Sequence, residues 1–150
     1  MPEHDRPHVL MMSEITVDGK LTLKRGASSK ILMKYMAPET ELLLHRTRAE
    51  YDAIMVGANT IRIDNSFLTV RLVEGKSPLR VIPSSRADIP PNANILGPDA
   101  RTVIAVSKAA PTENVTRLRE SGVDVVVAGE NEVDLPGLMA ILSRDYGVGR

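Results

Sequence analysis

The stretch Ala53-Ile-Met-Val-Gly57-Ala-Asn-Thr60-Ile-Arg-Ile-Asp64-Asn65 gives the clearest indication of the fold. Its first four residues are all apolar, which predicts a strand covered on both faces, because a strand with one wet face alternates apolar and polar side chains. Gly57 permits a close approach to the backbone, and polar side chains follow at once. Open parallel sheets bind their ligands at this end of their strands. The stretch therefore predicts a buried parallel strand with a candidate ligand site directly after it.

Other apolar runs bounded by turn residues extend this pattern along the chain. The five predicted strands are 9–12, 53–56, 79–82, 102–106 and 123–128. The three predicted helices are 38–51 with Pro38 in its first turn, 112–121 with Thr112 as cap and Gly122 as stop, and a last helix from a cap at Asp134 to Gly147. Alternation of this kind predicts a three-layer α/β/α fold with a mostly parallel sheet.

The length of 150 residues fits one domain, which we assign to residues 1–150. Val148-Gly149-Arg150 follows the last helix as the start of another strand would. We therefore expect the domain to be incomplete at its C-terminus.

The composition excludes several classes of site and partner. The 19 basic and 19 acidic residues give a net charge of zero, so no overall field attracts nucleic acid or an anionic membrane. The absence of cysteine excludes disulfides, zinc ribbons and thiol nucleophiles. The three histidines lack metal-ligand spacing, and no apolar run could serve as a signal or membrane span. We expect a cytoplasmic protein that binds no metal, nucleic acid or membrane.

Two polar stretches after strands are candidate ligand contacts. Gly57, Thr60 and Asp64 could meet a ribose or a pyrimidine, but the same residues suit a turn glycine, a helix cap and a solvated loop charge. Since neither GxGxxG nor GxxxxGK[ST] is present, the pattern alone favours the turn. Ser84-Ser85-Arg86 could hold the 2′-phosphate that distinguishes NADPH from NADH, or could be a loop of turn-forming residues. The residues alone leave that second choice open.

Two arginines are candidates for binding an anionic substrate. Arg48 lies on the helix before strand 53–56, and Arg71 ends the run Leu68-Thr-Val-Arg71. Most arginines are surface charges, so the residues alone do not assign a role to either. His45 fits a polar position on a helix better than a catalytic role.

Four blocks, taken together and in order, resemble the riboflavin-biosynthesis reductase family, whose domain is of the dihydrofolate reductase type. The blocks are Thr16-Val-Asp18-Gly19-Lys20, residues 45–60, Asp64-Asn-Ser-Phe-Leu68-Thr-Val-Arg71, and Pro78-Leu-Arg80-Val. The resemblance implies the NADPH-dependent reduction of a ribosylamino-pyrimidine 5′-phosphate to its ribitylamino counterpart, with hydride transfer to C1′ of the opened ribose. Such a transfer depends on positioning, so we assign no catalytic side chain.

The resemblance and the two polar stretches together give a set of predicted contacts. The predicted cofactor-binding residues are Gly57, Thr60, Asp64, Ser85, Arg86 and Glu14. The predicted substrate-binding residues are Arg48, Leu68, Arg71 and Ser28. The resemblance also implies a homodimer. The His, Glu and paired Cys of a fused zinc deaminase are absent, which favours the diamino-pyrimidinone as substrate and leaves the deaminated uracil as the alternative.

Three features depart from the family pattern. Ser84-Ser85 stands where the family has an Asp-Ser pair, and the chain is longer than usual between Gly26 and Pro38. The family also continues with a strand and a glycine-rich turn around the cofactor pyrophosphate. These departures keep two alternatives open: a non-catalytic nucleotide-binding or assembly module of the same fold, and another dihydrofolate reductase-like oxidoreductase.

Overall fold

The chain forms a four-stranded parallel sheet with helices on both faces, in a computed structural model that describes residues 6–150. The strands are β1 (Ala53–Met55), β2 (Leu79–Pro83), β3 (Thr102–Val106) and β4 (Asp124–Val127). The helices in the described residues are α1 (Lys30–Met33), α2 (Pro38–Glu50), α3 (Ala58–Asp64), α4 (Thr112–Glu120) and α5 (Leu135–Tyr146), with a short 3₁₀ turn at Asn94–Leu96. None of these helices is long and apolar enough to cross a membrane.

The strands lie side by side in chain order, β1-β2-β3-β4. Parallel crossovers share one handedness, so strands added in one direction place their connections on the same face of the sheet. That face holds Ile61 of α3 and Leu118 of α4, packed on Ile82 and Ile104. The opposite face is covered by α5, whose Leu138 and neighbours pack on the other side of β2 and β3. The three-layer α/β/α fold with a parallel sheet is therefore confirmed.

The predicted strands and helices can be compared with the structure element by element. All five residues of β3 are buried, as predicted for a strand between two helical layers. The residues of β1 are only half-buried and one end of β4 is exposed, because these two strands form the edges of the described sheet. The helices predicted from Pro38, Thr112 and Asp134 are present as α2, α4 and α5, although Pro111 rather than Thr112 takes the cap position of α4.

The strand predicted at 9–12 is wrong, since the structure has no strand there. The side chains of this stretch are exposed, with Val9 at 67% and Met11 at 87%. A strand needs a neighbouring strand whose backbone it can hydrogen-bond, and an apolar run in the sequence does not show whether such a neighbour exists. The chain does pair just before this run, where the His8 N–H donates to the Gly149 carbonyl at 2.8 Å.

Residues 148–150 lie against the first strand, although they form no strand of their own. The Asp52 N–H donates to the Arg150 carbonyl at 2.8 Å. The backbone N–H groups of Gly149 and Arg150 in turn donate to the Asp52 carboxylate at 2.9 and 3.0 Å. These bonds hold residues 149–150 against Asp52, directly before β1.

Arg80 of β2 carries a fully buried guanidinium, with 0% exposure. Its Nε donates to the Thr102 hydroxyl at 2.8 Å, and its Nη2 donates to the carbonyls of Gly97, at 2.7 Å, and Ala100. Burial lowers the pKa of this guanidinium, and the charge of Asp99 opposes that effect. Backbone carbonyls thus replace the water that a buried cation loses.

The same guanidinium joins two loops beside the sheet. Its Nη1 makes longer bonds to the carbonyls of Phe67, at 3.4 Å, and Asn94, at 3.5 Å. The two loops also bind each other, because Asn94 donates its backbone N–H and its side-chain amide to Asn65, at 2.8 and 2.7 Å. Arg80 therefore fixes the loop after α3 as well as the loop before β3.

We expect Arg80→Leu to lower the free energy of unfolding by about 3 kcal/mol or more, because the buried Thr102 hydroxyl and the half-buried carbonyls of Gly97 and Ala100 would lose their donor at about 1–3 kcal/mol each. Urea denaturation would measure the loss. Arg144→Ala is the matched control, since Arg144 is exposed and its ion pair within residues 6–150 is with the adjacent Asp145. An Arg80→Leu protein that unfolds at the same urea concentration as the control would contradict the role of the buried guanidinium.

Candidate active site

A central cleft lies beside β1, between the N-terminal segment, α2 and α3, with a volume of about 310 Å³. Its apolar floor is formed by β1, and Leu68 closes one end. Glu14, Thr60 and Asp64 add polar groups to its wall. The cleft therefore combines a flat apolar surface with a few hydrogen-bonding groups, as ligand sites commonly do.

The central cleft opens into a second, basic cavity of about 300 Å³, and the two share Lys30, Arg48 and Leu68 on their walls. The basic cavity adds His45 and Arg71, with Glu41 as its acidic wall residue. Three cationic side chains thus meet a single carboxylate in this space. Such an excess of positive charge at a partly enclosed site suits a phosphate.

The arginines of the basic cavity are close enough to affect each other. Burial lowers the pKa of Arg48, and the neighbouring charge of Arg71 lowers it further. The carboxylates of Glu14 and Glu41 oppose both effects. Because an arginine remains charged even so, the two like charges stay close together, and a bound anion would relieve their repulsion.

His45 is the buried residue of α2, with 2% exposure. Its Nδ1 accepts the backbone N–H of Arg71 at 3.0 Å. Burial lowers the pKa of the imidazole, the charges of Arg48 and Arg71 lower it further, and Glu41 raises it. An Nδ1 that accepts a hydrogen bond carries no proton, so this contact and the lowered pKa both favour the neutral ring.

The segment after α3 has an unusual backbone. Asn65 and Leu68 have φ values of 43° and 57°, in the left-handed region that residues other than glycine rarely adopt. Leu68 is nevertheless buried, at 4% exposure. The strain is held by the surrounding bonds to Arg80 and Asn94, and its effect is to turn the Leu68 side chain onto the wall of both cavities.

Asp64 ends α3 and is buried, at 9% exposure. Its carboxylate accepts the hydroxyl of Ser28 and, at 3.0 Å, the hydroxyl of Ser29, while its carbonyl accepts the Lys30 ammonium group. The reading of Asp64 as a solvated loop charge is therefore wrong. These bonds tie the start of α1 across the cleft to the end of α3.

A third cavity, which we call the strand-end cavity, lies at the carboxyl ends of β1 and β2 and measures about 320 Å³. Gly57, Arg62, Ser84, Ser85 and Arg86 are among its wall residues. A side chain at Gly57 would meet no atom within 4 Å, so the backbone there faces open space. An extended ligand that crossed the turn between β1 and α3 would touch both this cavity and the central cleft.

The wall of the strand-end cavity has the donors that a nucleotide phosphate needs. The Ser85 hydroxyl accepts the Val133 N–H at 3.0 Å, which leaves its own proton for another acceptor. Arg62 is paired with Asp88 at 2.7 Å, whereas the Arg86 guanidinium has no ion pair within residues 6–150. The Ser85 hydroxyl and the Arg86 guanidinium therefore fit the phosphate of a phosphorylated nucleotide.

The structure divides the predicted site residues between these three spaces. Glu14, Thr60, Asp64, Arg48 and Leu68 line the central cleft. Gly57, Ser85 and Arg86 line the strand-end cavity, and Arg71 lies in the basic cavity. Gly57, rather than Thr60, takes the cap position of α3. Ser28 is bonded to Asp64 beside the cleft, and Ser29 and Ser66 are the serines on the cleft wall.

Sequence reasoning missed the roles of Lys30 and His45. Lys30 lies in the segment where the family pattern is interrupted, so no motif identified it. His45 was read as an ordinary polar helix residue, and only its burial against Arg71 reveals the contact. Within residues 6–150, no three histidine or carboxylate side chains are arranged to hold a metal ion.

Comparison with known proteins places this geometry in a family. Residues 7–150 match the model of the RibD C-terminal domain. The chain is 48% identical over 141 residues to the 2,5-diamino-6-ribosylamino-4(3H)-pyrimidinone 5′-phosphate reductase of Aquifex aeolicus, covering 93% of this chain and 63% of that protein. It is 40% identical over 148 residues to the protein of the same name from Methanothermobacter thermautotrophicus, covering 96% of this chain and 64% of that protein.

Solved structures agree in fold. The structure of a diaminohydroxyphosphoribosylaminopyrimidine deaminase/5-amino-6-(5-phosphoribosylamino)uracil reductase from Thermotoga maritima matches this chain with a TM-score of 0.71 and 24% sequence identity. The match covers 97% of this chain and 38% of the Thermotoga maritima chain. A pyrimidine reductase-like protein from Corynebacterium diphtheriae covers 91% of this chain and 60% of its own, with a TM-score of 0.73 and 19% identity. The chain spans about two thirds of the length of the two curated reductases described above. It belongs to the family of RibD C-terminal domains.

Proposed function

We propose that this protein is an NADPH-dependent reductase that converts the ribosyl side chain of a ribosylamino-pyrimidine 5′-phosphate into a ribityl chain. The observation that carries the proposal is the basic cavity opening into the central cleft, which matches a substrate with a phosphate at one end and a flat ring at the other. The family supports the reaction class, because relatives that cover most of this chain are named as reductases of such a compound.

In this proposal the 5′-phosphate lies in the basic cavity. Arg48 and Arg71 reach it from α2 and from the loop after α3, and Lys30 closes the third side. An arginine fork can donate two parallel hydrogen bonds to phosphate oxygens. Bringing a dianion between Arg48 and Arg71 also removes the repulsion that lowers the pKa of Arg48.

The pyrimidine would lie in the central cleft against Leu68. The buried isobutyl group gives the ring an apolar surface, and its fixed backbone limits how far the ring can shift. Glu14 and Asp64 lie on the wall of the same cleft, where their oxygens can accept from hydroxyl or amino groups of the bound cofactor. Ring and phosphate are thereby held at two ends, with the ribose between them.

NADPH fits the remaining spaces as the cofactor. Its phosphorylated ribose would meet Ser85 and Arg86 in the strand-end cavity, and the open face of Gly57 would let the chain of the dinucleotide pass. Thr60 lies on the central-cleft side of α3, next to the proposed pyrimidine position. When bound, the cofactor supplies a hydride from its nicotinamide ring. The contribution of the protein is to hold C1′ of the substrate near that ring and to exclude water.

The named relatives favour the diamino-pyrimidinone over the deaminated uracil as substrate. The relatives at 48% and 40% identity carry the diamino-pyrimidinone reductase name, whereas the relatives named riboflavin biosynthesis protein RibD match at 32–34% identity. The homodimer stays a prediction from the family resemblance, and the cytoplasmic location stays a prediction from the composition.

An assay of NADPH oxidation at about 340 nm tests the function. The assay uses an about-neutral buffer and offers each of the two pyrimidine phosphates as the substrate. We expect turnover with the diamino-pyrimidinone and a lower kcat/KM with the uracil. Faster turnover of the uracil would reverse the substrate assignment. NADPH binding without turnover of either compound would favour the non-catalytic nucleotide-binding module instead.

The variant Arg71→Ala tests the phosphate site. We expect KM for the phosphorylated substrate to rise by about tenfold or more, since a charge-assisted bond contributes about 1.5–3 kcal/mol and 1.4 kcal/mol corresponds to a factor of ten. The dissociation constant of NADPH should stay close to its wild-type value. Arg46→Ala is the control, because Arg46 is an exposed arginine of α2 outside the cavity walls. An unchanged KM in Arg71→Ala would remove Arg71 from the site.

A further inference from the structure

The loop that carries Arg71 has no strand or helix of its own to hold it. Two consecutive backbone N–H groups are bound by side chains instead. The Val70 N–H donates to the Ser77 hydroxyl at 3.1 Å, and the Arg71 N–H donates to Nδ1 of His45 at 3.0 Å. The place of Arg71 relative to α2 is therefore set by one histidine.

Fixing the backbone of Arg71 also fixes its guanidinium. Nη1 of Arg71 donates to the Thr69 hydroxyl at 2.8 Å, and Thr69 is itself buried. The guanidinium carbon lies 5.6 Å from the centre of the Phe67 ring, within the range of a cation–π contact. With the main chain anchored at His45, these two contacts leave the guanidinium little freedom.

We infer that His45 is a positioning residue of the anion site, whose unprotonated Nδ1 holds the Arg71 backbone so that the guanidinium faces the substrate phosphate. The identity of the anion rests on the proposed function, but the hydrogen bond itself does not. His45 thus acts through Arg71 and through its place on α2, three residues before Arg48. One helix thereby sets the spacing between both arginines.

The surroundings of His45 keep the ring neutral. Arg48 and Glu41 face it from α2, Arg71 faces it from the loop, and Lys30 of α1 lines the same cavity. Burial and the two arginines outweigh Glu41, so the pKa of His45 lies below its ordinary value of 6.5. A protonated ring would direct an N–H at the N–H of Arg71 and would break the contact.

Two substitutions separate the hydrogen bond from the volume of the ring. His45→Asn retains an acceptor, because the Asn Oδ1 occupies about the same place as the imidazole Nδ1, whereas His45→Leu fills space without an acceptor. With ribose 5-phosphate as the probe in calorimetric titration, we expect binding to weaken by about tenfold in the Leu variant and by less than about threefold in the Asn variant. In the assay, KM for the phosphorylated substrate should follow the same order while kcat changes little. Equal binding by the Leu variant and the wild type, or equal loss in both variants, would overturn the inference.

A stability measurement tests, independently of any ligand, whether the folded protein keeps His45 neutral, as the inference requires. Below pH 6.5 the unfolded chain protonates His45 while the folded chain resists protonation, so the unfolded state binds more protons and the folded state loses stability as the pH falls. We expect the urea midpoint of the wild type to fall relative to that of His45→Asn between pH 8 and about 5.5. Parallel pH curves for the two proteins would mean that the ring is protonated without cost, which would overturn the inference. If the wild type bound no ribose 5-phosphate, the proposed function would fail, and this comparison would still test whether the His45 ring stays neutral in the folded protein.

Discussion

The shape of the site depends on the hydrogen bonds that the buried guanidinium of Arg80 donates. A cation inside the sheet would be very costly without partners, and no carboxylate forms an ion pair with it within residues 6–150. Its partners are backbone carbonyls and the Thr102 hydroxyl, which lie in fixed directions around the planar fork. Because those carbonyls belong to two separate loops, satisfying one guanidinium requires both loops to take one arrangement.

The consequence reaches the cavities through the loop after α3. Arg80 holds the Phe67 carbonyl, and the next residue, Leu68, takes its left-handed conformation and forms part of the wall of both the cleft and the basic cavity. Beyond Leu68 the backbone is anchored by side chains from other parts of the chain, with Ser77 and His45 as acceptors. Two consecutive N–H groups held in this way give this loop a fixed backbone at the point where Arg71 leaves it.

The apolar periodicity of the sequence predicts the three layers of the fold, but it does not predict which residues contact each other in the site. The strands 79–83 and 102–106 and the three longer helices are long enough for their apolar spacing to reveal them. Helix α3 was missed, because Ala58–Asp64 is short and includes β-branched and polar residues that also suit a turn. The run 9–12 has the composition of a strand but no neighbouring strand to pair with in the structure. Edge position and pairing depend on the rest of the fold, so no local pattern contains them.

The same limit applies to the candidate site, and its electrostatics explain why. A chain with no net charge has no long-range field to draw a phosphate, and salt screens charges beyond about 8 Å. Any attraction for a phosphate must therefore come from cations brought together locally, and Arg48, Arg71 and Lys30, which lie far apart in the sequence, line one cavity. The family resemblance predicts a substrate contact for both arginines, but no motif predicts that His45 accepts the Arg71 N–H and stays neutral. A charged His45 would add repulsion to the cavity and release the Arg71 backbone at the same time, so burial of this ring serves the placement of the cations as well as the packing of α2.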